Sequence, residues 1–95
     1  MHTFEWDEDK NAANIAKHGI SFEEAITIFE GPVVSAEDYG AYDEIRERSF
    51  GLLNGIVVIC VIHTDRGQAI RLISARKATK QERKHFDAYL KRATS

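Results

Sequence analysis

Asn54-Gly55 stands between two largely apolar runs, residues 50–53 and 56–62. Both residues tolerate the positive φ that a type I′ turn demands. The pair therefore predicts an antiparallel hairpin in the middle of the chain, and the remaining elements have to be arranged around it. The second run shows no polar alternation, which predicts a strand covered on both faces and central in its sheet. A second turn at Asp65-Arg66-Gly67 leads into a third strand over residues 69–76. Residues 4–6 and 33–35 are candidates for short extra strands. Residues 36–43, polar and acidic with Tyr39 and Tyr42, read as a loop.

Helices are expected on either side of this sheet. Asp7 is placed to cap a helix whose first turn holds Glu8 and Asp9, where negative charge suits the backbone dipole. Lys17 and His18 fall at its carboxyl end, and Gly19 supplies the left-handed exit. Ser21 and Glu24 have the spacing of a capping box, and Phe22, Ala25, Ile26 and Phe29 form one apolar stripe behind it. Thr79 and Glu82 repeat the box before a closing helix, whose stripe is Phe86, Tyr89, Leu90 and Ala93. The fold class expected is α+β: two amino-terminal helices, an antiparallel sheet of three to four strands and a carboxy-terminal helix.

Ninety-five residues make a single domain, 1–95, that buries roughly 60–70% of its unfolded surface. That supports one core but not a pocket enclosed between two lobes. Cys60, the sole cysteine, lies in the apolar run and packs as a small hydrophobe; with no internal disulfide possible, the chain reads as cytosolic. The sequence after Met1 lacks a basic start and an apolar stretch, so no secretory signal is expected. The longest apolar run is too short to span a bilayer, so no membrane association is expected. The four histidines show no metal-ligand spacing, and neither a metal nor a cofactor is expected.

Charge is divided along the chain. From Met1 to Asp65 four Lys/Arg face thirteen Asp/Glu; from Arg66 to Ser95 nine face two, leaving a net charge of −2. Such a total argues against indiscriminate coating of nucleic acid, whereas a local excess of cations suits one phosphate chain or an acidic partner. A solvated basic helix explains the same numbers. If each turn has the loop length read above, Arg46 opposes His63, Arg48 opposes Val61, and Val61 opposes Arg71. One face would then gather Arg46, Arg48, His63 and Arg71. Cations so close call for an anion. The alternative is an ion-paired sheet rim involving Glu44 and Glu47. Arg76 and Lys77, at the handover to the last helix, either hold a phosphate at its amino end or form an exposed linker. Trp6 and Phe22 can stack on bases, but are more ordinarily core.

Phe4-Glu5-Trp6-Asp7, Lys10, Asn14 and the run Lys17-His18-Gly19-Ile20-Ser21-Phe22-Glu23-Glu24-Ala25 resemble the amino-terminal signature of BrnT-type toxins. Glu47-Arg48, Gly51-Leu52, His63-Thr64, the run from Arg71 through Leu72-Ile73-Ser74-Ala75-Arg76-Lys77 to Ala78, and Glu82-Arg83 resemble the rest of it. The resemblance implies a RelE-like fold and a ribonuclease toxin of a type II toxin–antitoxin system that stops translation by cutting RNA. It also implies a cognate BrnA-like, DNA-binding antitoxin, through which alone operator DNA is reached.

For a metal-free ribonuclease the expected roles are Arg48 and Arg71 on the phosphate, Arg76 as a further clamp, and His63 as proton shuttle, with Arg46 and Lys77 as additional phosphate contacts. A different class of function stays open: a non-catalytic module that binds the antitoxin through Tyr39, Tyr42 or the flank of the last helix, its nuclease activity decayed.

Overall fold

The apolar run that follows Asn54-Gly55 becomes the centre of a five-stranded sheet. The computed structural model describes residues 3–38 and 45–94. In chain order these form β1 (Thr3–Glu5), α1 (Glu8–His18), α2 (Phe22–Ala25) running on into a 3-10 segment (Ile26–Glu30), β2 (Val34–Asp38), β3 (Arg46–Leu53), β4 (Val57–Arg66), β5 (Ala69–Lys77) and α3 (Lys80–Thr94). The strand order is β1-β5-β4-β3-β2. β4 is central, as the unbroken apolarity of its sequence predicts. The sheet has more strands than expected and is mixed, because β1 pairs parallel to β5 at one edge. Residues 36–38 extend β2 instead of starting a loop. The rest of that expected loop, with Tyr39 and Tyr42, lies outside the described residues, as does Glu44 of the expected ion-paired rim.

Local signals set the helix ends. The Asp7 carboxylate accepts the Asp9 N–H at 2.8 Å, and Gly19 leaves α1 at φ 72°. Ser21 and Glu24 complete their box, with Ser21 Oγ accepting the Glu24 N–H at 3.0 Å and Glu24 Oε1 accepting the Ser21 N–H at 3.0 Å. After Ala25 the helix tightens to three residues per turn. Its stripe is thereby corrected: Ile28 is buried beside Phe22 and Ala25, while Ile26 and Phe29 are only half-buried. Close approach explains the tightening, since a Cβ on Gly51 of β3 would stand 2.7 Å from Ile28 Cβ. In α3, Phe86 is buried, Tyr89 and Leu90 are half-buried, and Ala93 is exposed rather than part of the stripe.

The core lies on one face of the sheet, where Ile59, Val61, Ile70, Leu72 and Ala75 meet Ile20, Phe22, Ala25 and Ile28, with Trp6 edge-on to Phe22. Two buried asparagines lock the helices to it. Asn14 donates to the carbonyls of Ile20 and Ala75 at 2.9 and 2.8 Å and accepts the Ala75 N–H at 3.1 Å. Asn11 accepts the Phe22 N–H at 2.8 Å and donates to Glu23. Each satisfies backbone groups that burial would otherwise leave unpaired, at about 1–3 kcal/mol apiece. α3 covers part of the opposite face, where Cys60 is buried; burial raises its thiol to about 11 against the pull of Arg76. Among the described residues no helix is long and apolar enough to cross a membrane.

Both hairpin registers differ from expectation. Asn54 and Gly55 adopt positive φ, 56° and 71°, and the Ile56 N–H closes the turn on the Leu53 carbonyl at 3.1 Å. Ile56 itself stays unpaired in the ladder, so Leu53 opposes Val57 and every later pair moves by one. The second turn uses two residues, Gly67-Gln68, with Arg66 opposite Ala69. A bulge between Ile62 and His63 then shifts the ladder once more.

Candidate active site

A slip of one residue exchanges the faces of a strand. Glu47, not Arg46, opposes His63, and Arg48 opposes Ile62. On the other side His63 opposes Leu72, Arg71 opposes Thr64, and Arg76 opposes Cys60. Directly opposed residues share a face, so Arg46, Arg48, Arg71 and Arg76 lie together on the α3 side. His63 lies on the core side. The expected meeting of Arg48, His63 and Arg71 is therefore corrected: β3 and β5 are both displaced by an odd number of residues relative to β4, so their arginines keep company and only His63 is lost. Lys77, opposite Ile59, also falls on the other face, exposed at the end of β5.

His63 is 2% exposed. Its Nε2 stands 2.7 Å from Ser49 Oγ, which is 2.8 Å from Ser35 Oγ, and Phe29 packs edge-on against the ring at 5.5 Å. Nδ1 is 3.7 Å from Asp65, too far for a hydrogen bond. Burial pulls the imidazole below its ordinary value, with Glu47 and Asp65 opposing. This is a core histidine, enclosed beneath the 3-10 segment.

The arginines differ in what holds them. Arg71 Nη1 donates to Glu5 at 3.0 Å. Arg76 forms a bidentate pair with Glu82, Nη1 to Oε1 at 2.8 Å and Nη2 to Oε2 at 3.0 Å, and Nη1 also reaches the Lys77 carbonyl. That pairing, with the Thr79 N–H donating to the same carboxylate, lowers Glu82 from its ordinary 4.5 to about 2. Arg46 lies opposite Asp38 of β2. The Nε of Arg48, like that of Arg46, is buried and finds no acceptor among the described residues; of the two, only Arg48 lines the cleft between β2, β3 and α3.

Arg48 forms part of a cleft of about 480 Å³ between β2, β3 and the first turns of α3, walled by Val34, Ala36, Phe50 and Phe86 and edged by Thr79, Gln81, Glu82 and His85. His85 lies on the exposed side of α3. The available signal was spacing: it follows Glu82 by three residues and Gln81 by four, which puts all three on one face of α3. Among the described residues no three His, Cys, Asp or Glu side chains gather as metal ligands. What the cleft offers is a half-buried arginine whose Nε has no acceptor among the described residues, an exposed imidazole, and a second guanidinium clamped to Glu82 at its edge.

A small α+β domain with an arginine-bearing cleft between its sheet and a basic terminal helix is an architecture suited to gripping a phosphodiester chain. The family of ribonuclease toxins BrnT, of type II toxin–antitoxin systems, matches residues 6–82, and the chain belongs to that family. A solved structure, the 1.1 Å crystal structure of the Brucella abortus ribonuclease toxin BrnT, is similar with a TM-score of 0.65 and 32% identity, covering 84% of this chain and 100% of that one. Among curated proteins none matches the chain.

Proposed function

We propose that this toxin is a metal-independent endoribonuclease whose active site is the cleft around Arg48. The reading rests on Arg48, whose buried Nε lacks an acceptor among the described residues, standing in a cleft shared with His85. A guanidinium stays charged and binds phosphoryl oxygens through two parallel N–H groups, so Arg48 neutralises the charge that develops as the ribose 2′-OH attacks phosphorus. The new bond joins O2′ to phosphorus, the bond to the 5′ oxygen breaks, and a 2′,3′-cyclic phosphate remains. His85 accepts the 2′-OH proton, and solvent supplies one to the leaving oxygen. Arg76, held in place by Glu82, is the second cation of the site; Arg71 and Arg46 extend the same face and contribute to chain binding. His63 supports β3 and β4 from behind.

In the cell, on this reading, RNA cleavage by a RelE-like toxin in the cytoplasm arrests translation. A BrnA-like antitoxin neutralises it and alone contacts operator DNA. Incubating the partner-free chain with RNA in EDTA is expected to yield cyclic-phosphate ends. Arg48→Ala is expected to lower the rate on the order of a hundredfold, and Arg71→Ala, whose side chain is already tied to Glu5, far less. Full activity of Arg48→Ala overturns the site; absence of both cleavage and growth arrest overturns the enzyme.

A further inference from the structure

We infer that the apolar half of the cleft is a slot for one unpaired nucleobase, an inference that rests on the ribonuclease reading above. A phosphate needs only the cations. The rest of the lining is largely apolar and partly aromatic, with the half-buried Phe50 from the sheet and the edge of the buried Phe86 from α3. Aromatic side chains are the usual platform for the faces of unstacked bases.

Residue size shapes the slot. Val34 and Ala36 are the cross-strand neighbours of Phe50 and Arg48, and these short side chains on β2 leave the space that the aromatic rings border. A cavity of about 480 Å³ lies in the range that encloses one small ligand rather than a length of chain. The polar rim carries hydrogen-bonding groups at its edge: the Gln81 amide both donates and accepts, as does the Thr79 hydroxyl. With the phosphate on Arg48, an adjoining base has a face to stack on and an edge to be read. A base inside a duplex has its faces stacked and its edge paired, so it enters only after being flipped out. The slot therefore makes the substrate single-stranded RNA at the step that is cut.

The test compares adenosine 5′-monophosphate with ribose 5-phosphate, which share the phosphate and differ in the base, by titration into the full chain followed by NMR. The nucleotide is expected to bind roughly tenfold tighter or more. Ala36→Leu, at an exposed position on the edge strand, is expected to fill the slot and bring the nucleotide down to the affinity of ribose 5-phosphate; Phe50→Ala is expected to do the same by removing the platform, and Phe50→Tyr to preserve the preference. Equal binding of the two probes to the wild-type chain overturns the slot. So does cutting of an RNA at an abasic step as fast as at a normal one, which leaves the ribonuclease reading standing. If no RNA is cut at all, the ribonuclease reading fails, and the comparison of the two small probes still decides the slot.

Discussion

Ser49 and Ser35 tie His63 into a hydrogen-bonded chain that runs from the buried ring to the exposed Ser35. Nε2 pairs with Ser49 Oγ, Ser49 Oγ pairs with Ser35 Oγ, and Nδ1 faces Asp65. The groups around the ring are Glu47 across on β3, Asp65 on its own strand, Leu72 on β5 and Phe29 on the 3-10 segment. Protonation would put a second cationic N–H into a pocket built for a neutral ring, and burial outweighs the two carboxylates, so the folded value lies below the ordinary 6.5. The sign follows from linkage. Above pH 6.5 the ring is neutral in folded and unfolded chains alike, and this group leaves stability unaffected. As pH falls below 6.5 the unfolded chain binds a proton that the folded chain refuses, and stability declines until the folded value is passed. Thermal denaturation between pH 7.5 and 5 is expected to show a falling midpoint for the wild type and a shallower fall for His63→Gln. Identical slopes would show that His63 is not the group responsible.

At the scale of elements, caps and apolar runs were legible because each depends on residues within one turn of one another. Asp7, Ser21, Thr79 and Gly19 act where their spacing places them, and β4 is central because its side chains are apolar on both sides. Register was not legible, because it is decided by one residue. Ile56 belongs neither to the turn pair nor to the ladder, and the bulge near Ile62 has no local signature. The 3-10 segment likewise answers to a tertiary constraint, the approach of Ile28 to Gly51. The candidate site was half legible for the same reason: Arg46, Arg48 and Arg71 shared a face under either register, while Arg76 joined them only through the bulge, His63 depended on β4 alone and His85 on how α3 docks. The handover from β5 to α3 shows how a cap and a site share one carboxylate. Glu82 accepts from Thr79 and from both Arg76 nitrogens, while Thr79 Oγ1 accepts the Glu82 N–H at 3.2 Å. Glu82→Ala is expected to cost about 1–2 kcal/mol through the lost cap and to lower cleavage by releasing Arg76. Glu82→Gln, which keeps an acceptor for Thr79, is expected to recover most of the stability but not the rate. Equal loss of both properties in the two variants would separate Arg76 from the chemistry.

For the molecule as a whole, the division of charge along the chain carries over in part into space, apart from the acids Glu5, Asp38 and Glu82 that lie beside Arg71, Arg46 and Arg76. The acidic residues of the first two thirds include Glu8 and Asp9 of α1 and Glu23 and Glu24 of α2, beside the core face, whereas Lys80, Arg83 and Lys84 are exposed on α3 beside the cleft. On the ribonuclease reading proposed above, RNA is drawn to the α3 side of the sheet, which reconciles a net charge of −2 with the proposed phosphate site. A protein that grips a few linkages releases few counterions. For single strands the logarithm of affinity falls with that of salt concentration by about 0.7 per neutralised phosphate, so Arg48 with three α3 cations predicts a slope of about −3. Charge reversal at Lys80 or Arg83 is expected to weaken binding and flatten the slope by a little under one, irrespective of RNA sequence, because phosphate contacts carry no base information. The same reversal applied in the opposite sense at Glu23, on the far side, is expected to change the slope little, since its distance from the RNA exceeds what screening permits at moderate salt. If Glu23→Lys steepened the slope as much as Lys80→Glu flattened it, RNA would be responding to total charge alone, and the cleft would have no privileged place in binding.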